Sequence, residues 1–122
     1  MNIVKAHSVF SAMVVGASLT VRSAAIALGN EMVEGFFDLQ ITATTGTGTA
    51  RIQYELSNDG TNYVTPTGAA DIVTAHTVTS GPGSDGKDIY SFTPEVAQFM
   101  RLLITETGGV NPITITGILA VQ

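Results

Sequence analysis

The sequence predicts an all-β fold: an antiparallel β-sandwich, jelly-roll-like, with about seven to eight short strands. Three observations carry that expectation. Apolar and polar residues alternate with a period of two in segment after segment, as strands with one covered face do. Clusters of Gly, Asn, Asp, Ser and Pro separate those segments. No long stretch repeats its apolar residues at the helical period, and no internal repeat is present.

Residues 1–18 follow neither period cleanly and are expected to form an N-terminal arm or an edge strand, with residues 19–122 making a single sandwich domain. Leu19 and Val21 alternate with Thr20 and Arg22 as a half-buried strand does. Small residues then lead to a turn at Gly29 and Asn30, and residues 24–28 leave room for no more than a very short helix. In the next strand Phe37, Leu39, Ile41 and Ala43 share one face, and Asp38, Gln40 and Thr42 the other. The Thr- and Gly-rich run at 44–49 is expected to be a hairpin loop. In its return strand Ala50, Ile52, Tyr54 and Leu56 oppose Arg51, Gln53, Glu55 and Ser57.

Residues 57–62, centred on Asp59 and Gly60, predict a tight turn, after which Tyr63 and Val64 resume an extended path as far as Pro66. A strand is expected over 72–78 and a loop over 80–86. Ile89, Ser91 and Thr93 alternate with Tyr90 and Phe92, and residues 95–98 suit one helical turn. Met100, Leu102 and Ile104 oppose Arg101, Leu103 and Thr105 in a further strand. A glycine turn at Gly108 and Gly109 leads to a β-branched, apolar final strand over 113–121.

A chain of 122 residues can bury one real core and is too short for two. Charged residues make up 12% of it, about half the usual share, and Thr, Gly, Ala and Ser fill the gap. A surface so poor in charge suits contact with other subunits, because charge is depleted at the cores of interfaces. The net charge is -5, and the five cations Lys5, Arg22, Arg51, Lys87 and Arg101 are scattered along the sequence, which argues against a nucleic-acid partner. The absence of cysteine excludes a disulfide framework and thiolate metal sites. No run of about 20 apolar residues suits a membrane helix. The apolar stretch 9–15 is interrupted by Ser11 and flanked by Ser8 and Gly16, so no signal peptide is expected.

No motif carries a defined chemistry. His7 and His76 are far apart in sequence without a second ligand at metal spacing, and both are expected to face solvent. Asn58, Asp59 and Asn62 lack the EF-hand series and read as a turn that bonds its own backbone. The acids fall mostly at turns or on outward strand faces, where solvation is expected. There is no nucleophile elbow, and the Gly-Thr run at 46–49 lacks the lysine and helix of a phosphate loop. A non-enzymatic protein is therefore expected, with no catalytic residue, cofactor or metal. Candidate interface residues are Val9, Phe10, Met13 and Val14 in the first segment, with Arg51, Gln53 and Glu55 on an outward strand face. Tyr63, Tyr90 and Asp85 make a candidate ligand loop for the alternative, a carbohydrate- or surface-binding module.

The run Ile52-Gln53-Tyr54-Glu55-Leu56-Ser57-Asn58-Asp59-Gly60-Thr61-Asn62-Tyr63 resembles the strand-turn element of discoidin-type galactose-binding β-sandwiches and of small bacteriophage virion proteins. Phe92-Thr93-Pro94, followed by Phe99-Met100-Arg101-Leu102, is similar to the arginine-bearing strand of both, and the resemblance spans residues 34–122. The chain departs from the discoidin group in lacking its tryptophans, cysteine pair and long ligand-binding spikes. The phage resemblance implies a virion structural protein made without a signal peptide in the host cytoplasm: a capsid decoration protein or a neck, tail or fibre component. Its expected partners are capsid or tail subunits and further copies of itself, with neither nucleic acid nor membrane. The low charge and the irregular apolar first segment add the expectation that residues 1–18 reach onto a neighbour.

Overall fold

Nine strands form among the residues that the computed structural model describes, 4–29 and 35–122. They are β1 (Lys5–Val15), β2 (Thr20–Arg22), β3 (Ile26–Ala27), β4 (Phe37–Gly46), β5 (Ala50–Ser57), β6 (Val73–His76), β7 (Lys87–Phe92), β8 (Phe99–Glu106) and β9 (Ile113–Val121). Two antiparallel sheets pack face to face, the first in the order β1-β9-β4-β7 and the second in the order β2-β8-β5-β6. The chain changes sheet between β1 and β2, β3 and β4, β4 and β5, β6 and β7, β7 and β8, and β8 and β9, and its first and last strands are neighbours. That order is the jelly-roll form of the β-sandwich. No helix forms among the described residues: 24–28 supply β3, and 95–98 run without a helical turn. The count exceeds the expected seven or eight because two short pieces share one edge of β8, β2 against Leu103 to Thr105 and β3 against Phe99 and Met100.

The run at 44–49 is not a hairpin loop. β4 and β5 lie in different sheets, and the run is an arch between them. Gly46 pairs with Ile113, and the Gly48 N–H donates to the Pro112 carbonyl at 3.0 Å, so the arch rests on the segment entering β9. Alternation marks one apolar face per strand and is the same for a hairpin and an arch. The sheet that β5 joins is settled by its pairing with β8, from Ala50 opposite Glu106 to Ser57 opposite Phe99.

The first segment lacks a period because β1 is bulged. It is an edge strand along β9, from Lys5 opposite Val121 to Val15 opposite Ile113, with register breaks between Ser8 and Phe10 and between Phe10 and Met13. Ala12 takes a φ of +46°, and its N–H donates to Thr116 Oγ1 at 3.0 Å. Each added residue reverses strand parity, which turns Phe10, Met13 and Val15 all toward the core. Over Lys5–Val15 the expected arm is thus folded onto its own chain. Residues 1–3 of that segment, Asn30 of the expected turn and Glu34 at the start of the resemblance lie outside the described residues.

The core joins Phe37, Leu39 and Ile41 of β4 and Ile113, Ile115 and Leu119 of β9 to Ile52, Tyr54, Met100, Leu102 and Ile104 of the second sheet. An aromatic row crosses it: Tyr54 stacks on Phe92 with centroids 5.6 Å apart, and Phe92 tilts against Phe37 at 5.4 Å. His76, expected to face solvent, is fully buried and ties the two sheets together. From β6 its Nε2 donates to the Gly86 carbonyl at 2.9 Å, an atom that can only accept. In the neutral ring its Nδ1 then accepts the Tyr90 hydroxyl of β7 at 3.0 Å.

Candidate functional site

The outer faces of the two sheets differ in chemistry. On the first sheet, strand register places Ser8, Ile118, Gln40 and Ile89 in one row. Thr116, Thr42 and Lys87 form the row on one side, and Ala120, Asp38 and Ser91 the row on the other. Ile89 is 59% exposed, Ile118 38% and Val14 60%. Asp38 and Lys87 are the charges of these three rows, and the hydroxyls bond laterally, Ser91 Oγ to Asp38 at 2.6 Å and Thr45 Oγ1 to Thr114 at 3.0 Å. Gln40, Pro82, Lys87, Asp88 and Ile89 line an open groove of about 500 Å³ at the β7 side of this face.

The second sheet gathers arginines. Arg22 on β2 and Arg101 on β8 each direct Nε at the same oxygen of Glu55 on β5, at 3.0 and 2.8 Å. Arg51 grips Asp71 in a fork, Nε to Oδ2 at 2.8 Å and Nη2 to Oδ1 at 3.1 Å, which raises its already high pKa. The Arg101 guanidinium lies 4.2 Å from the centre of the Tyr63 ring. Strand pairing makes this cluster, since Glu55 stands opposite Arg101, and Arg22 stands opposite Leu103 two residues further along β8.

At the end of β5 the Asp59 turn is as expected. The Leu56 and Val64 backbones bond reciprocally across it, at 2.8 and 3.0 Å. Asp59 accepts the N–H groups of Asn62 and Thr61 and the hydroxyl of Ser57, and these bonds hold its carboxyl far below the usual carboxylate range. Its oxygens are filled by the turn itself.

The structure separates the residues singled out in the sequence. Phe10 is buried and Val9 and Met13 pack against the core, whereas Val14 faces out. Arg51 and Gln53 are half-exposed on the outer face of the second sheet, but Glu55 is largely buried beneath its two arginines. Tyr63, Tyr90 and Asp85 do not converge. Tyr63 lies under Arg101 on one outer face, and Tyr90 points between the sheets, where burial, then the nearby Asp88 carboxylate, raises its pKa. Asp85 accepts the Lys87 N–H at 3.2 Å in an exposed loop. Sequence reasoning missed Ile89, Ile118, Arg22 and Arg101. Their outward parity was readable, but not their neighbours across the sheet. Among the described residues no group of three or more His, Asp or Glu is placed to hold a metal ion. Compared with protein-family models and with curated proteins, the chain matches none.

Proposed function

We propose that this chain is a non-enzymatic structural subunit of a phage virion, a capsid decoration protein or a neck, tail or fibre component, that assembles through protein-protein contacts. The observation that carries the reading is the outer face of the first sheet. Its central row sets Ile118 and Ile89 on either side of Gln40, its flanking rows are mostly Thr, Ser and Ala, and only Asp38 and Lys87 are charged among them. Such a face loses little by desolvation and gains by burying its aliphatic groups against a neighbour.

The inward-drawn carboxylates support the non-enzymatic part. Glu55 is engaged by two guanidinium groups and Glu106 by four backbone N–H groups, so both are taken up by structural partners. Jelly rolls occur in viral capsid and lectin domains alike, so the fold is compatible with this reading without selecting it. Electron microscopy of the native source with a gold-labelled antibody against the chain tests the reading. Label repeating at regular positions on particles or filaments is the expected result. Label absent from every particle, together with glycan-array binding by the purified chain, would replace it with a carbohydrate-binding module.

A further inference from the structure

Among the described residues the ion cluster on the second sheet is one anion short. Glu55 gives a single oxygen to both Arg22 and Arg101, so two guanidinium charges meet one carboxylate in a chain whose net charge is -5. Only the Nε of each arginine is bonded among the described residues, and the terminal nitrogens are unfilled. Their side chains are 48% and 31% exposed, so those nitrogens are accessible from outside. Arg51 is the contrast nearby, with its charge matched by both oxygens of Asp71.

We infer that Arg22 and Arg101 receive a carboxylate side chain from a partner subunit. The inference rests on the assembly reading for the partner being a protein. A second carboxylate balances the cluster, and guanidinium groups recognise carboxylates through paired, charge-assisted hydrogen bonds. Glu55 and the Tyr63 ring hold the arginines in place before any partner arrives, which lowers the entropy lost on binding. An acidic side chain at the rim of a neighbour's face completes the site. Its effect is on register and orientation of docking as much as on affinity.

The test follows the three arginine Nε–H signals in nitrogen-15-labelled protein while triglutamate is added at constant ionic strength. Arg22 and Arg101 are expected to shift together and saturate while Arg51 stays fixed. Arg101→Lys keeps the charge and loses the fork, and is expected to weaken binding about tenfold or more. Arg22→Lys, at the more exposed position, repeats the comparison without disturbing Tyr63, and an unchanged backbone spectrum shows that either variant is folded. No saturable shift, or Arg51 moving in parallel, overturns the inference. Saturation by inorganic phosphate but not by triglutamate overturns it equally, since the site would then be a phosphate site. If triglutamate fails while labelled particles still carry the chain, the assembly reading stands alone. If triglutamate binds and no particle carries the chain, it is the reading that falls.

Discussion

Glu106 shows how a carboxylate 1% exposed stays ionised. It accepts the N–H groups of Thr49 at 2.9 Å, Gly109 and Gly108 at 2.7 Å each and Ser18 at 3.2 Å, and so pins the ends of three connections to one side chain. Those bonds, led by Thr49 and Gly109, lower its pKa from 4.5 to about 2. The folded pKa is the lower one, so the stabilisation is complete above pH 4.5 and is lost as the pH falls toward about 2. Denaturant titrations of Glu106→Gln are expected to show a less stable protein at pH 7 with a shallower acid decline in that window. A wild-type decline in the variant would contradict this role. Tyr54 is the alkaline counterpart: burial first, then the Glu95 carboxylate that accepts its hydroxyl at 2.8 Å, pushes it up from 10 to about 12. Its contribution is complete below pH 10 and is lost as the pH rises toward about 12. Tyr54→Phe is expected to cost about 1 kcal/mol at pH 7 and to flatten the alkaline decline. The tyrosinate absorbance of the folded wild type checks the assignment, and complete titration of all three tyrosines near pH 10 would refute it. Neither residue declared its role in the sequence. Glu106 follows the apolar strand parity of Met100, Leu102 and Ile104, and two of its four donors, Ser18 and Thr49, come from distant segments.

At the scale of elements, alternation located the strands and left their sheets undecided. β4, β5, β8 and β9 were legible because each shows one unbroken apolar face. β1 was not, because its bulges break the period that reading depends on. The arch between β4 and β5 makes the difference testable. Gly46 sits at a φ of +94°, and an added Cβ would collide with the Pro112 carbonyl oxygen. At Gly68 the φ is +77°, but nothing lies within 4 Å of an added Cβ. Gly46→Ala is therefore expected to destabilise by about 2 kcal/mol or more, and Gly68→Ala by about 1 kcal/mol, in urea unfolding. Equal costs at the two sites would mean that the arch does not rest on Pro112. The Asp59 turn was legible because its bonds run between neighbours in sequence, whereas the Arg22-Glu55-Arg101 cluster joins three strands distant in sequence.

Over the whole molecule, the charges of the described residues are unevenly placed. Arg22, Arg51 and Arg101, three of the chain's five basic residues, lie on the outer face of the second sheet with Glu55 and Asp71. The central three rows of the first sheet's outer face carry only Asp38 and Lys87 as charges among Thr, Ser, Ala, Gln40 and exposed aliphatic groups. The low charge of the sequence pointed to subunit contact, and the strand order locates the face on which that lack of charge is concentrated. Ile89 and Ile118 point away from the core, so replacing both with Glu leaves the fold intact and places two charges in the central row of that face. The most direct measurement is co-sedimentation of the purified chain with particles from its native source, comparing wild type with the folded Ile89→Glu, Ile118→Glu double variant. The account predicts that the wild type sediments with the particles and the double variant stays in the supernatant. A wild type that stays in the supernatant, or a double variant that sediments as the wild type does, would contradict it.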